Sequence, residues 1–225
     1  FGYTVNYYKD SKSEENKLGN TVEETAEYDS TVTLTEEELM DRVPTGYRLQ
    51  DNQKDSIKIT EDKANNNLDV IYVKDEFDYC VKYFYDEEED ESKRDTGKKL
   101  YEDMLTYQDK NKPGYKFLEV KPSESIKISE DSSKNEIDVY YVKDDFAYTV
   151  NYYKDEIAGD PYKTETDEAE FESTIPYDNT PPTGYKFSKV EGQTTVTEDN
   201  EKNVLNVLFV KIELEIIVKH ILNTN

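Results

Sequence analysis

Three stretches of this chain are near copies of one another, and this recurrence limits what it can fold into more than any other feature. Phe1-Gly-Tyr-Thr-Val-Asn-Tyr-Tyr-Lys-Asp10 returns as Phe77-Asp-Tyr-Cys-Val-Lys-Tyr-Phe-Tyr-Asp86 and as Phe146-Ala-Tyr-Thr-Val-Asn-Tyr-Tyr-Lys-Asp155. Each copy carries a turn signature: Pro44-Thr-Gly-Tyr47, Lys112-Pro-Gly-Tyr115 and Pro182-Thr-Gly-Tyr185. Each closes on a similar run: Leu68-Asp-Val-Ile-Tyr-Val-Lys74, Ile137-Asp-Val-Tyr-Tyr-Val-Lys143 and Leu205-Asn-Val-Leu-Phe-Val-Lys211. Gly46, Gly114 and Gly184 lie 68 and 70 positions apart. That period exceeds the roughly 20–50 residues of a solenoid repeat and suits a small domain with its own core. The reading is therefore tandem modules at 1–76, 77–145 and 146–211. The joins Lys74-Asp-Glu76 and Lys143-Asp-Asp145 carry no Gly/Ser or Pro-rich linker. Residues 212–225 read as the first strand of a truncated fourth module or a C-terminal extension, so the chain is expected to be a piece of a longer array.

Composition narrows the function. The chain has 225 residues with 28 Lys+Arg, 52 Asp+Glu and a net charge of −24. Such an excess repels phosphate backbones, so nucleic acid is not an expected partner. One Cys and one His exclude an internal disulfide, a Cys-cluster metal site and a His-pair zinc site. No run of about 18 apolar residues is present, so membrane insertion is not expected. Charged residues at 36% lean toward disorder. The 20 Tyr and 8 Phe supply the countervailing apolar surface.

Within a module the first strand alternates. Tyr3, Val5 and Tyr7 share one face, as do Tyr79, Val81 and Tyr83, and Tyr148, Val150 and Tyr152. These are expected to be core, with Thr4, Asn6 and Tyr8 outside. The closing strand buries Leu68, Val70 and Tyr72, and its apolar other face (Ile71, Val73) predicts a central strand covered on both sides. Thr35 followed by Glu38 has capping-box spacing for a short helix. Related helical signals fall at 97–105 and 166–171. The Pro-Thr-Gly-Tyr run suits a type I turn. The expected fold class is α+β, mostly β: three tandem β-grasp-like (ubiquitin-like) modules in an elongated arrangement, with first and last strands side by side in each sheet.

The opening Tyr-Thr-Val-Asn-Tyr-Tyr, the central Pro-x-Gly-Tyr and the closing Val-x-Tyr-Val together resemble the mucin-binding-protein (MucBP) repeat of Gram-positive bacterial surface proteins. The resemblance spans all three modules. It implies β-grasp-like modules, a cell-wall-attached extracellular parent protein, and adhesive or spacing roles. The acidic insertion of the second module and the helical segments depart from that pattern. No ligand-binding residue carries over.

Candidate sites are few. Cys80 replaces the Thr found at Thr4 and Thr149, and His220 is far from it in sequence, so no nucleophile–base pair is apparent. The acidic run Asp86–Glu91 lacks the glycine and alternation of an EF-hand loop. Asp75, Glu76, Asp144 and Asp145 at the joins are the better Ca²⁺ ligands, because carboxylates of two modules could meet there. Tyr8, Phe84 and Tyr153, with Tyr140, are outer aromatics that could stack on a sugar. A Lys–Asn isopeptide bond would need a buried Lys, an Asn and a carboxyl catalyst together. No cofactor is expected.

The function read from these features is a non-enzymatic, monomeric stalk or spacer of a cell-surface adhesin. The alternatives are repeats that themselves bind host mucin glycans or a host glycoprotein, and an accessory region of an enzyme whose catalysis lies elsewhere.

Overall fold

A computed structural model describes residues 1–213; the strand read at 212–225 falls almost wholly outside the described residues. The first repeat holds β1 (Gly2–Lys9), β2 (Val22–Thr25), β3 (Thr31–Thr33), α1 (Glu36–Met40), β4 (Tyr47–Leu49), β5 (Ser56–Lys58) and β6 (Asn67–Lys74). The second holds β7 (Glu76–Tyr85), β8 (Glu88–Glu89), β9 (Asp95–Leu100), β10 (Met104–Thr106), β11 (Tyr115–Lys121), β12 (Ser125–Lys127) and β13 (Glu136–Lys143). The third holds β14 (Asp145–Lys154), β15 (Lys163–Glu170), β16 (Tyr185–Gly192) and β17 (Val204–Lys211). The chain is mostly β, with several sheets. It divides into two compact units. One comprises Phe1–Phe84, Glu89–Asp109 and Glu119–Val139; the other comprises Tyr85–Glu88, Lys110–Leu118 and Tyr140 onward.

In the first unit, the sheet of the first repeat runs β2-β1-β6-β4. β1 and β6 are parallel neighbours, registered from Thr4↔Asn67 to Lys9↔Tyr72. The alternation of β1 decides the core. Tyr3, Val5 and Tyr7 meet Leu68, Val70 and Tyr72 under Leu34, Ile57 and Ile59. Fully burying each aliphatic side chain here contributes about 1.5–3 kcal/mol. The opposite face of β6 is covered only in part: Ile71 and Val73 are half-buried, not enclosed as the apolar pattern predicts. In the second unit, the sheet β15-β14-β17-β16 repeats this plan. β14 and β17 are parallel from Thr149↔Val204 to Lys154↔Phe209. Tyr148, Val150 and Tyr152 pack with Leu205, Val207 and Phe209 over Ile175 and Val196. Tyr3 and Tyr148 thus belong to separate cores. Tyr79, expected in the core, is half-buried, while Val81 and Tyr83 are buried.

The helix signals resolve differently. Thr35 caps α1 as its spacing predicts: its hydroxyl accepts from the Glu38 amide, and the Glu38 carboxylate accepts from the Thr35 amide. The other two segments are strands. Residues 97–105 span β9 and β10, and β9 pairs antiparallel with β7 from Glu76↔Leu100 to Val81↔Asp95. Residues 166–170 fall in β15, paired with β14 along its whole length, and Phe171 lies in the turn after it. Ladder hydrogen bonds to a long first strand outweigh a weak helix preference, and Gly97 lowers that preference further. In backbone terms α1 corresponds to the stretches around Lys110 and Thr180. No α-helix forms in either stretch. Core tyrosines serve the backbone at this level in every repeat. Tyr7 and Tyr72 hydroxyls donate to the Glu38 and Leu39 carbonyls at 3.0 and 2.8 Å. Tyr83 donates to the Gln108 carbonyl at 2.9 Å, and the Tyr152 hydroxyl accepts from the Asp178 amide at 3.0 Å.

Candidate functional site: the joins between repeats

The turn Pro44-Thr45-Gly46-Tyr47 closes with the Tyr47 amide donating to the Pro44 carbonyl at 3.0 Å. The same bond closes Lys112–Tyr115 at 3.1 Å and Pro182–Tyr185 at 3.0 Å. Glycine is therefore the third residue, and its φ is +76°, +82° and +84° at Gly46, Gly114 and Gly184. A positive φ at that position belongs to a type II turn, which corrects the type I expectation. The open Cα face of the glycine is what the join uses. A Cβ on Gly46 would lie 2.3 Å from the Tyr101 ring, and one on Gly114 2.4 Å from the Phe171 ring.

Each join has the same parts. The Asp75 amide donates to the Gly46 carbonyl, and the Tyr101 amide donates to the Asp75 carbonyl, both at 2.9 Å. At the next join the Asp144 amide donates to Gly114 at 2.9 Å and the Phe171 amide to Asp144 at 2.8 Å. Rings close the contact edge to face. Tyr101 meets Tyr47 and Phe77 at 6.1 and 6.2 Å. Phe171 meets Tyr115 and Phe146 at 6.2 and 6.1 Å. Such pairs contribute about 0.5–1.5 kcal/mol beyond their buried area. Charges rim the rings: Lys74 pairs with Glu102 at 3.3 Å and Lys143 with Glu172 at 3.2 Å. Burial, then the Asp10 carboxylate that accepts its hydroxyl at 3.1 Å, pushes the Tyr47 phenol up to about 12. Burial and Asp86 raise Tyr115 in the same direction.

Of the carboxylates proposed for Ca²⁺, Asp75, Asp144 and Asp145 face cations of the protein, while Glu76 is exposed at the start of β7. Asp75 lies 3.5 Å from Arg48 and caps the Glu76 amide at 2.9 Å. Asp144 and Asp145 share Lys116 at 2.8 and 3.4 Å. The Lys116 ammonium and the Asp145 amide hold the Asp144 carboxyl below the usual range. Among the described residues no group of three or more His, Cys, Asp or Glu side chains could hold a metal ion. Burial pushes the Cys80 thiol up, which disfavours the reactive thiolate. His220 lies outside the described residues.

Of the outer aromatics, Tyr8 is not free to meet a ligand. It is 5% exposed, with Lys17 bridged beside it. The segment after β1 folds back over it, which strand alternation cannot foresee. Phe84 and Tyr153 are half-buried on their strands. A pair that sequence reasoning passed over is more open: Tyr177 and Phe187 stack at 6.4 Å with 39% and 40% exposure.

Sequence reasoning also missed three buried asparagines, Asn66, Asn135 and Asn203, each at 1% exposure or less. Asn66 Oδ1 accepts from the Thr60 amide at 2.9 Å, and its Nδ2 donates to Gly2 and Thr60 carbonyls at 3.1 and 3.0 Å. Asn135 and Asn203 make the same three bonds, to Ser129 and Asp78, and to Thr197 and Ala147. Their recurrence two positions before Leu68, Ile137 and Leu205 was the available signal. These amides fasten the first strand to the loop before the last one. Backbone groups and hydroxyls satisfy them, and no lysine is among those partners, so this is not isopeptide geometry.

No helix among the described residues is long and apolar enough to cross a membrane. Compared with known proteins, the chain matches no protein-family profile and no curated protein sequence.

Proposed function

We propose that this chain is a non-enzymatic, force-bearing spacer segment of an extracellular cell-surface adhesin, built from β-grasp-like modules. The observation that carries this reading is the parallel pairing of the entering and leaving strands, β1 with β6 and β14 with β17. Tension enters such a module at the start of its first strand and leaves at the end of its last. Parallel neighbours pulled that way slide along each other, so the rungs of the ladder share the load. In an antiparallel hairpin the rungs would open one at a time. The joins suit the same role, since a single residue, Asp75 or Asp144, separates the last strand of one repeat from the first of the next. The resemblance to MucBP repeats supports a parent protein on the wall of a Gram-positive bacterium. The negative charge would keep neighbouring stalks apart.

Pulling single molecules by their termini tests this. The reading expects discrete, high-force unfolding steps. Gradual low-force extension would overturn it. The alternative, direct binding of mucin glycans, is favoured by the exposed Tyr177–Phe187 stack. Titration with mucin glycans against a Phe187→Ala variant separates the two readings.

A further inference from the structure

The middle repeat departs from its neighbours at one place in the sheet. The strand beside the first one presents three alternate residues: Val22, Glu24 and Ala26 in the first repeat, Glu165, Asp167 and Ala169 in the third, and Asp95, Gly97 and Lys99 in the middle one. Val22, Ala26 and Ala169 pack against the cores of their repeats. The Glu24 carboxylate accepts from the Tyr3 hydroxyl at 2.6 Å. Tyr3 and Tyr148 are accordingly closed in, at 8% and 7% exposure. In the middle repeat Gly97 supplies no carboxylate and Lys99 no small apolar plug. The Tyr79 ring lies over Gly97, its hydroxyl 3.1 Å from where a Cβ would stand, and Tyr79 remains half-buried.

Beside that ring is a cavity of about 370 Å³, lined by Tyr79, Asp95, Lys99, Thr106 and Gln108. Its size falls within the roughly 300–1,000 Å³ of ligand sites. Buried Val81 and Leu105 give it an apolar part. The Tyr79 and Thr106 hydroxyls, the Lys99 ammonium and the Gln108 side-chain amide have no hydrogen-bond or ion-pair partner among the described residues. Asp95 is already tied to the Tyr83 hydroxyl at 3.2 Å, as Glu165 is to Tyr152. It brings negative charge to one end of the cavity, with the Lys99 ammonium at the other.

We propose that this cavity binds a small zwitterion of dipeptide length. The ligand carboxylate does for Tyr79 what Glu24 does for Tyr3: it accepts from the phenol hydroxyl, and it pairs with Lys99. The ligand ammonium lies at the Asp95 end. Asp95 and Lys99 stand four positions apart on one face of β9, which is about 13 Å at the rise of a strand. An extended dipeptide spans about 7 Å, and a hydrogen bond at each end adds about 3 Å, so the length matches where a single amino acid falls short. The peptide group meets Thr106 and Gln108, and small side chains meet Val81 and Leu105. A ligand of zero net charge also escapes the repulsion that a chain of charge −24 exerts on a simple anion. The site goes beyond the spacer reading and does not depend on it.

The test is titration of the ¹⁵N-labelled full chain with L-alanyl-L-alanine. The expected result is saturable shifts at the Gly97, Lys99 and Leu105 amides, with a Kd on the order of 1 mM. The same dipeptide acetylated at its amine and amidated at its carboxylate should bind at least about tenfold more weakly. Lys99→Gln should weaken binding about tenfold through loss of a charge-assisted hydrogen bond. Tyr79→Phe should weaken it several-fold and keep the fold, since it removes a hydroxyl that no described residue holds. Absence of saturable shifts up to about 20 mM, equal binding of the capped dipeptide, shifts confined to residues outside the cavity, or a Lys99→Gln chain that binds like the parent would each overturn the proposal.

Discussion

The Tyr101 ring occupies the space that a side chain on Gly46 would need: a Cβ there would come within 2.3 Å of the ring. One contact thus makes glycine necessary twice, for its φ of +76° and for its bare Cα face. Gly184 shares the first requirement only.

Gly46→Ala should accordingly cost more than Gly184→Ala. Both pay the left-handed backbone penalty of about 1–2 kcal/mol. Only the first also displaces a ring, adding roughly 1–3 kcal/mol of overpacking. Urea unfolding of the two variants checks this, and equal losses would mean that Tyr101 yields without cost.

Asn203→Ala should destabilise the third repeat by about 3–5 kcal/mol, because it strands a buried amide and two carbonyls at about 1–3 kcal/mol each before relaxation. The counterpart Asn66→Ala should act similarly on the first repeat. Thermal unfolding followed by circular dichroism measures both, and losses below about 1 kcal/mol would show that water replaces the amide.

Tyr3, Tyr47 and Tyr72 are pushed up to about 12, Tyr3 chiefly by its hydrogen bond to Glu24 and the other two by burial. The folded state thus keeps protons that the unfolded state releases near pH 10. Their stabilising contribution is complete below that pH and disappears as pH rises through about 12. A spectrophotometric tyrosinate titration should show an early set near pH 10 and a late set that ionises with unfolding. One single step at the ordinary value would contradict the burial described here.

Millimolar Ca²⁺ should move the melting temperature by less than about 1 °C, because Lys116 and Arg48 already neutralise the join carboxylates. A rise of several degrees, reversed by chelator, would restore the joins as cation sites.

Arg42→Lys should cost about 1–3 kcal/mol. Its guanidinium donates to the Leu18 and Asn20 carbonyls at 2.7 and 2.8 Å and covers the Tyr7 ring at 4.6 Å. Both bonds leave one nitrogen, Nη1, and what a lysine ammonium lacks is the planar guanidinium face that covers the ring. Chemical denaturation would detect the loss, and an unchanged midpoint would assign the contact no weight.

What the sequence determined alone was local and periodic. The alternation of Tyr3, Val5 and Tyr7 named the buried face of β1, the recurrence of Leu68-Asp-Val named β6, and Thr35 with Glu38 named α1. Those patterns are set by near neighbours along the chain. The three-dimensional fold decided what depends on distant partners. It turned residues 97–105 into strands because β7 offered a ladder, and it covered Tyr8 with the segment after β1. It buried Asn66 where a carbonyl 64 positions away needed a donor. It set Tyr101 on Gly46, a contact between repeats that no pattern within one repeat contains, since a ring chooses a bare Cα only when folding brings the two together.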